Sequence, residues 1–227
     1  RSMNDALGYS PTLTYTEYRA RYERGGIAER IVEAYPRATW GGEISFQENS
    51  DPNDYTTCEQ AADDLFDRLG AWNKLRRADV LAGLGDYSVV LIGAPGALDT
   101  SLTKVSKPED VLYLSPGPQI SAKIDTLDTN PASERYGLPL FYLVNTGTAN
   151  NANHTKVHYT RIVHVAEGAL ENDLYGKPRL RAVWNRLDDL DKILGGGAEA
   201  AWKRMDPGLQ VDIDPEIELT SEEEDRL

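Results

Sequence analysis

The middle of the chain, residues 87–166, constrains the fold more than any other part. It contains five short runs rich in β-branched and aromatic residues: YSVVLIGA, VLYLS, QISAKI, LFYLVN and KVHYTRIVHVA. Gly, Pro, Asn and Asp divide these runs, so the pattern predicts strands joined by turns. Because few helical segments lie between the runs, we expect largely antiparallel pairing and not a doubly wound parallel sheet.

Two helices are predicted before this sheet, in the segment TYTEYRARYERGGIAERIVEAYP. A glycine pair at positions 25 and 26 separates them, and Pro36 is predicted to end the second. The first helix carries tyrosines on one face. The second carries an apolar stripe, which is formed by Ile27, Ile31, Val32 and Tyr35.

Further helices are predicted on both sides of the sheet. Thr56 and Glu59 form a capping box that opens one helix, and another runs from Trp72 to about Leu84 with Asp79 on its apolar side. After the sheet, PRLRAVWNRLDDLDKIL predicts a helix that GGG divides from AEAAWKRM. The predicted class is therefore α+β, with a mostly antiparallel sheet of about five strands flanked by helices at both ends.

Charge and cysteine content exclude several classes of function. The net charge is −13, and residues 206–227 alone carry nine acidic groups and one basic group. Strong binding to nucleic acid needs clustered Lys and Arg, so a chain with this acidic charge is not expected to bind a phosphate backbone tightly. A single cysteine, Cys58, excludes an internal disulfide and a cysteine-built zinc site, and it favours a reducing compartment. No stretch approaches the ~18 apolar residues of a membrane span.

Three histidines close together, His154, His158 and His164, raise the question of a metal site or a catalytic pair. In one continuous strand His158 and His164 would be about 20 Å apart, too far to share a metal ion. We therefore predict no catalytic, metal or cofactor residues. The alternative is a phosphoesterase that uses His158 and His164. His158-x-Thr160 supplies one of its two expected His-x-Thr/Ser motifs, and the sequence has no second.

Four segments in order resemble stretches of tailed-bacteriophage portal proteins, in the branch labelled anti-CBASS-like: IAERIVEAYPRATW, LGAWNKLRRADVLAGLGDYSVVLIG, ASERYGLPLFYLV and VHYTRIVHVAEG. The resemblance runs from about Thr14 to the end of the chain. Its most specific residues are Tyr136, Gly137, Pro139, Tyr142, His158 and Arg161. Thr160 stands where the family commonly has serine. From the family motif we expect His158 and Arg161 to hold sheet or interface geometry, and the resemblance assigns them no chemical role.

The resemblance also implies a function and an assembly. Portal proteins form rings, usually of twelve subunits, at one vertex of the capsid, and double-stranded DNA is packaged and ejected through them. A separate terminase drives packaging, while connector or adaptor proteins and the major capsid protein are the other expected partners. The location would be the virion, after assembly in the cytoplasm of a bacterial host, with no membrane, cofactor or catalysis. Another ring-forming head-completion adaptor is a second alternative.

The expected organisation follows from the same resemblance. Residues 1–219 would form a portal wing-like α+β domain, with residues 1–13 as an N-terminal arm. Residues 220–227 would begin a helix that leads into a further C-terminal portion, because Thr220 and Glu223 make a capping box there.

Overall fold

The computed structural model describes residues 3–24, 26–42, 44–48, 55–102, 107–147 and 153–205. The helices are α1 (Met3–Leu7), α2 (Tyr15–Glu23), α3 (Ile27–Thr39), α4 (Thr57–Leu69), α5 (Ala71–Leu84) and α6 (Trp184–Met205). The strands are β1 (Ser88–Gly93), β2 (Tyr113–Pro118), β3 (Ala122–Leu127), β4 (Pro139–Asn145), β5 (His154–His158) and β6 (Ile162–Val165). The predicted α+β class is confirmed. The chain divides into two units, residues 1–184 and 185–227.

The described strands form two antiparallel sheets of three strands each. The first sheet has the order β2-β1-β6 and the second the order β3-β4-β5. A core cluster joins side chains from both sheets: Tyr87, Val89, Leu91, Ala122, Tyr142, Val144 and Val157. Helix α5 packs on the first sheet, where the Ser88 hydroxyl donates a 2.7 Å hydrogen bond to the carbonyl of Ala78. The first sheet is therefore covered by apolar side chains on one side and by a helix on the other.

The run KVHYTRIVHVA does not form the one continuous strand that the sequence predicts. Strand β5 ends at His158, residues Tyr159–Arg161 make a 3-10 turn, and β6 then joins the other sheet. The break has a local cause, because the ring of His158 accepts a hydrogen bond from the backbone N–H of Thr160. Side-chain bonds of this kind compete with the strand ladder. The prediction of one continuous strand across this run is therefore wrong.

Helix α3 continues through Pro36, which the sequence predicted as its end. Proline has no N–H, so the carbonyl of Val32, four residues earlier, loses its helical partner. The guanidinium of Arg179 donates to that carbonyl instead, at 2.5 Å from Nη1. The buried face also differs from the predicted stripe, because Ile27 and Tyr35 are 54% and 67% exposed. The residues of α3 that are buried are Ala28, Val32 and Pro36.

Two other helix predictions have different outcomes. The capping box of α4 is confirmed, since Glu59 N–H donates to the Thr56 hydroxyl and Thr56 N–H donates to the Glu59 carboxylate. The predicted division at GGG is wrong, because α6 runs unbroken through Gly195–Gly197. Each glycine costs a helix about 1 kcal/mol relative to alanine but still makes the backbone hydrogen bond. The helix predicted from Thr220 lies outside the described residues.

Candidate functional site

A closed loop between β3 and β4, residues 128–138, carries Tyr136 and Gly137, two of the six family-motif residues. Asp128 N–H donates to the carbonyl of Leu138, and Gly137 N–H donates to the carbonyl of Asp128, both at 2.8 Å. Gly137 has a φ of +81°, a left-handed conformation that glycine adopts without strain. These bonds close the loop while Tyr136 remains 63% exposed. The loop is thus held by its own backbone and leads directly into the buried Pro139 at the start of β4.

Arg135 connects this loop to the end of β5, where the motif residue His158 lies. Its guanidinium lies 3.6 Å from the centre of the Tyr159 ring and also donates to the carbonyl of Pro139, at 3.1 Å. Beside this contact, the ring of His158 packs edge-on against Phe141, with 5.4 Å between ring centres. Two stretches that are about 20 residues apart in sequence are therefore adjacent in space.

His158 and Thr160 form a small hydrogen-bond network at the end of β5. The imidazole Nδ1 lies 2.9 Å from the Thr160 hydroxyl, which also accepts from Leu102 N–H at 2.7 Å. Because Thr160 N–H donates to the same ring nitrogen, Nδ1 is the acceptor and the proton lies on Nε2. Burial lowers the pKa of His158, and the positive charges of Arg135 and Arg161 act in the same direction. A serine hydroxyl can make the same bonds as that of Thr160.

Arg161 is 1% exposed, and its guanidinium holds the segment that follows β1. Nη1 donates to the carbonyl of Ala94 and Nη2 to that of Pro95, both at 2.9 Å, while Nε donates to Thr100 at 3.2 Å. The planar fork of an arginine suits three carbonyls that converge in this way. The side chain therefore holds the loop that follows β1, and it is buried away from solvent.

His164 links the two sheets. Its Nε2–H donates to the carbonyl of Leu174 at 2.8 Å, so Nδ1 accepts from the Tyr142 hydroxyl at 3.2 Å. The ring also stacks on Tyr87, with 4.7 Å between ring centres. Burial lowers the pKa of His164, although the bond to Leu174 opposes this shift in part. Burial likewise raises the pKa of Tyr87, to about 12.

This arrangement ties both half-buried histidines, His158 and His164, into the fold. In each ring the basic nitrogen, Nδ1, already accepts a hydrogen bond within the fold, and β5 and β6 belong to different sheets. Within the described part of the chain, no group of three or more His, Cys, Asp or Glu side chains is placed to hold a metal ion. A cleft of about 590 Å³ lies elsewhere, lined by residues that include Asp86, Tyr175 and Arg181 and by none of the six motif residues.

A partly buried cluster, centred on the side chain of Arg179, was not predicted from the sequence. Its Nη2 lies 2.7 Å from a carboxylate oxygen of Asp79 and 2.6 Å from one of Glu167. The other Asp79 oxygen accepts from the indole N–H of Trp40 at 2.8 Å. Gly83 belongs to the same cluster, because a Cβ there would lie 2.7 Å from the guanidinium. One sequence signal could have indicated this cluster: Asp79 is an acid on the apolar side of a predicted helix. Acidic side chains are rarely buried unless they are paired, so Asp79 should have a basic partner.

Comparison with known proteins identifies the family. The sequence profile described as phage portal protein matches residues 16–223, which is most of the chain. This chain belongs to the phage portal protein family. No curated protein matches it significantly. The resemblance to portal proteins that was stated from the sequence is thereby confirmed for the family.

A solved structure supports the same fold. The portal chain is similar to a chain in the neck of an empty GTA particle computed with C6 symmetry, with a TM-score of 0.53 and 14% sequence identity. The match covers 96% of this chain and 57% of that one, so this chain spans little more than half the length of the structure it resembles. Among the described residues, no helix has both the length and the apolar character needed to cross a membrane.

Proposed function

We propose that this chain is the wing-like part of a portal subunit, which assembles with copies of itself into a ring at one vertex of a phage head. The observation that carries the proposal is the portal family match over residues 16–223. Residues 1–219 would form the wing-like domain. The ring would contain twelve subunits and contact the major capsid protein, with terminase and head-tail connector proteins docking on it. Such a portal is part of the virion and assembles in the cytoplasm of the bacterial host.

The charge of the chain supports a passive passage for DNA. Its net charge is −13, so the fields of neighbouring copies repel a duplex at close range. The basic groups of α5, Lys74, Arg76 and Arg77, are interleaved with Leu75 and followed by Asp79, which pairs with Arg179. They do not form a continuous cationic stripe. We propose that DNA passes the ring without specific binding.

We further propose that the subunit has no catalytic activity. The phosphoesterase alternative needs a ring nitrogen that can take or give a proton to a substrate. The Nδ1 atoms of His158 and His164 are engaged by Thr160 and Tyr142, and burial lowers the pKa of both imidazoles. Nothing in this geometry favours the enzyme, so His158→Ala and His164→Ala should cause no catalytic defect.

Ring closure requires that one patch of each subunit meets a different patch on the next copy. Two helices, α2 and α6, carry apolar patterns that suit such contacts. In α2 the tyrosines are already used within the subunit, because Tyr15 and Tyr18 are 7% and 3% exposed and the Tyr22 hydroxyl donates to Glu33. The apolar surface of α6 therefore becomes the stronger candidate.

The test of ring assembly uses the full-length protein that contains this chain. Native mass spectrometry and negative-stain electron microscopy at micromolar concentration should show closed rings, with twelve subunits as the expected number. A stable monomer under these conditions would contradict the portal proposal. Rings of another size would correct only the subunit number.

The test of passive DNA passage is a fluorescence anisotropy titration with short duplexes of unrelated sequence. We expect dissociation constants no tighter than the usual ~10⁻⁴ to 10⁻⁶ M for non-specific binding at physiological salt. We also expect no preference among the sequences, because base readout needs Arg, Asn or Gln on an element that fits a groove. Nanomolar, sequence-selective binding would favour a DNA-recognition protein instead.

A further inference from the structure

Two clefts in the first unit of the chain, residues 1–184, join into one groove. The larger cleft, about 590 Å³, is lined mainly by the loop of residues 167–177, and the smaller one, about 230 Å³, by residues 10–13 on one side. Asp86 and Arg181 line both clefts, so the two meet at this pair of charges. The larger cleft alone has the volume of an ordinary ligand pocket, about 300–1,000 Å³.

The loop of residues 167–177 is a wall of the groove whose shape is fixed by the chain itself. A 2.7 Å hydrogen bond from Lys177 N–H to the carbonyl of Glu167 joins its two ends. Within this closed loop, Leu170 is 93% exposed and Tyr175 is 47% exposed, and both line the larger cleft. Compact loops with joined ends are frequently functional. Here the loop presents apolar side chains to the groove.

Tyr18 brings a hydroxyl without a partner into the smaller cleft. The residue is 3% exposed, and its ring packs edge-on against Trp184, with 5.3 Å between ring centres. Its hydroxyl makes no hydrogen bond within the described part of the chain. Burial raises the pKa of Tyr18, while the charge of Arg181 opposes this shift and that of Asp86 adds to it, so both charges act at the hydroxyl. Buried polar groups nearly always have a hydrogen-bond partner, and this one must come from outside the subunit.

The charges of the groove indicate what such a partner carries. Lys177 and Arg181 form no ion pair with the described residues. Of the two acids in the larger cleft, Glu171 is exposed on the loop, and Asp86 accepts a 3.2 Å hydrogen bond from Nε2 of Gln119 through one oxygen only. The groove therefore has cations that can bind a carboxylate and a free carboxylate oxygen that can accept from an N–H. A peptide segment with an acidic residue carries both groups.

We propose that this groove binds an extended peptide segment of another protein, with an acidic side chain of that segment at Arg181. The peptide carboxylate accepts from the Arg181 guanidinium and from the Tyr18 hydroxyl, and a neighbouring backbone N–H donates to Asp86. Charge-assisted hydrogen bonds of this kind are the strong ones. Apolar residues of the same segment contact Leu170 and Tyr175. All these groove residues belong to one subunit, so the inference goes beyond the proposed ring and does not depend on it.

Peptide arrays probed with the full-length protein test the chemistry of the ligand. The probes are synthetic peptides of about nine residues, ~30 Å when extended, with mixed residues everywhere except a fixed central Asp, Asn or Lys. We expect the Asp set to retain about tenfold more protein than the Asn set, because only the carboxylate makes charge-assisted bonds. The net charge of −13 favours the Lys set, so a preference for Asp cannot arise from net charge. Equal retention by the Asp and Asn sets, a preference for Lys, or no retention would overturn the inference.

Variants of the groove test its location, with fluorescence anisotropy of labelled peptides from the Asp set as the measurement. Arg181→Gln should weaken binding about tenfold, and Tyr18→Phe, which keeps the ring against Trp184, about threefold. Arg24→Gln is the matched control, because it removes the same charge from an exposed position outside the groove. Urea unfolding checks that each variant folds. Unaltered affinity in Arg181→Gln or Tyr18→Phe, or an equal loss in Arg24→Gln, would refute the assignment of the groove.

Discussion

Arg161→Met tests whether one buried guanidinium holds the segment after β1 in place. The side chain is 1% exposed and donates to three carbonyls, those of Ala94, Pro95 and Thr100. Methionine keeps much of the length of the side chain but donates no hydrogen bond. Any loss of stability in this variant therefore reports the missing donors more than missing volume.

The size of the effect follows from where the three carbonyls lie. Ala94 is buried, so its carbonyl would lose its donor away from water, at a cost of about 1–3 kcal/mol. Pro95 and Thr100 are exposed, so water can replace part of each bond, and each loss costs about 1 kcal/mol. Removing the buried charge recovers some of its desolvation cost. We therefore expect a net loss of about 3 kcal/mol, which lowers Tm by roughly 6–12 °C for a chain of this size.

The assay is urea unfolding at constant pH, followed by tryptophan fluorescence, with thermal melting as a second measurement. Arg161→Lys keeps the charge but not the planar fork of the guanidinium. Its free energy of unfolding should therefore lie between those of the unaltered protein and Arg161→Met. Arg30→Met is the matched control, because Arg30 is exposed and its loss should change stability by less than about 0.5 kcal/mol. If Arg161→Met unfolds within about 1 kcal/mol of the unaltered protein, the anchoring role is refuted.

Three further predictions concern the other clusters. Gly83→Ala should destabilise the protein by about 1–2 kcal/mol, because its Cβ would press on the tethered Arg179, and the same change in an Arg179→Ala background should be neutral or stabilising in urea unfolding. Stability should fall as pH drops below about 6.5, since the unfolded state then binds protons that the half-buried His164 resists, and His164→Gln should flatten this dependence in urea unfolding. Thr160→Ser should preserve Tm, while Thr160→Val removes a hydroxyl with two hydrogen bonds and should cost about 1–3 kcal/mol; equal melting of the two variants would contradict this network.

Features with local causes were predictable from the sequence. The capping box of α4 depends on two residues three positions apart, and short β-branched runs between turn residues favour antiparallel strands. The six motif residues were named from the resemblance, which marks them by identity and spacing. Their role in a portal stays a prediction. The structure adds that they lie in two adjoining clusters, linked through Arg135 and Tyr159.

Only the tertiary structure decided the features that depend on distant partners. Pro36 remains inside α3 because the carbonyl that it leaves free is satisfied by Arg179, 147 residues beyond Val32. The run from residue 156 to 165 divides between two sheets because Thr160 bonds to His158 and Arg161 turns toward a loop about 60 residues earlier. No local pattern encodes such pairs, because their contact energy is gained only when two distant segments come together. Bringing those segments together costs the chain conformational entropy.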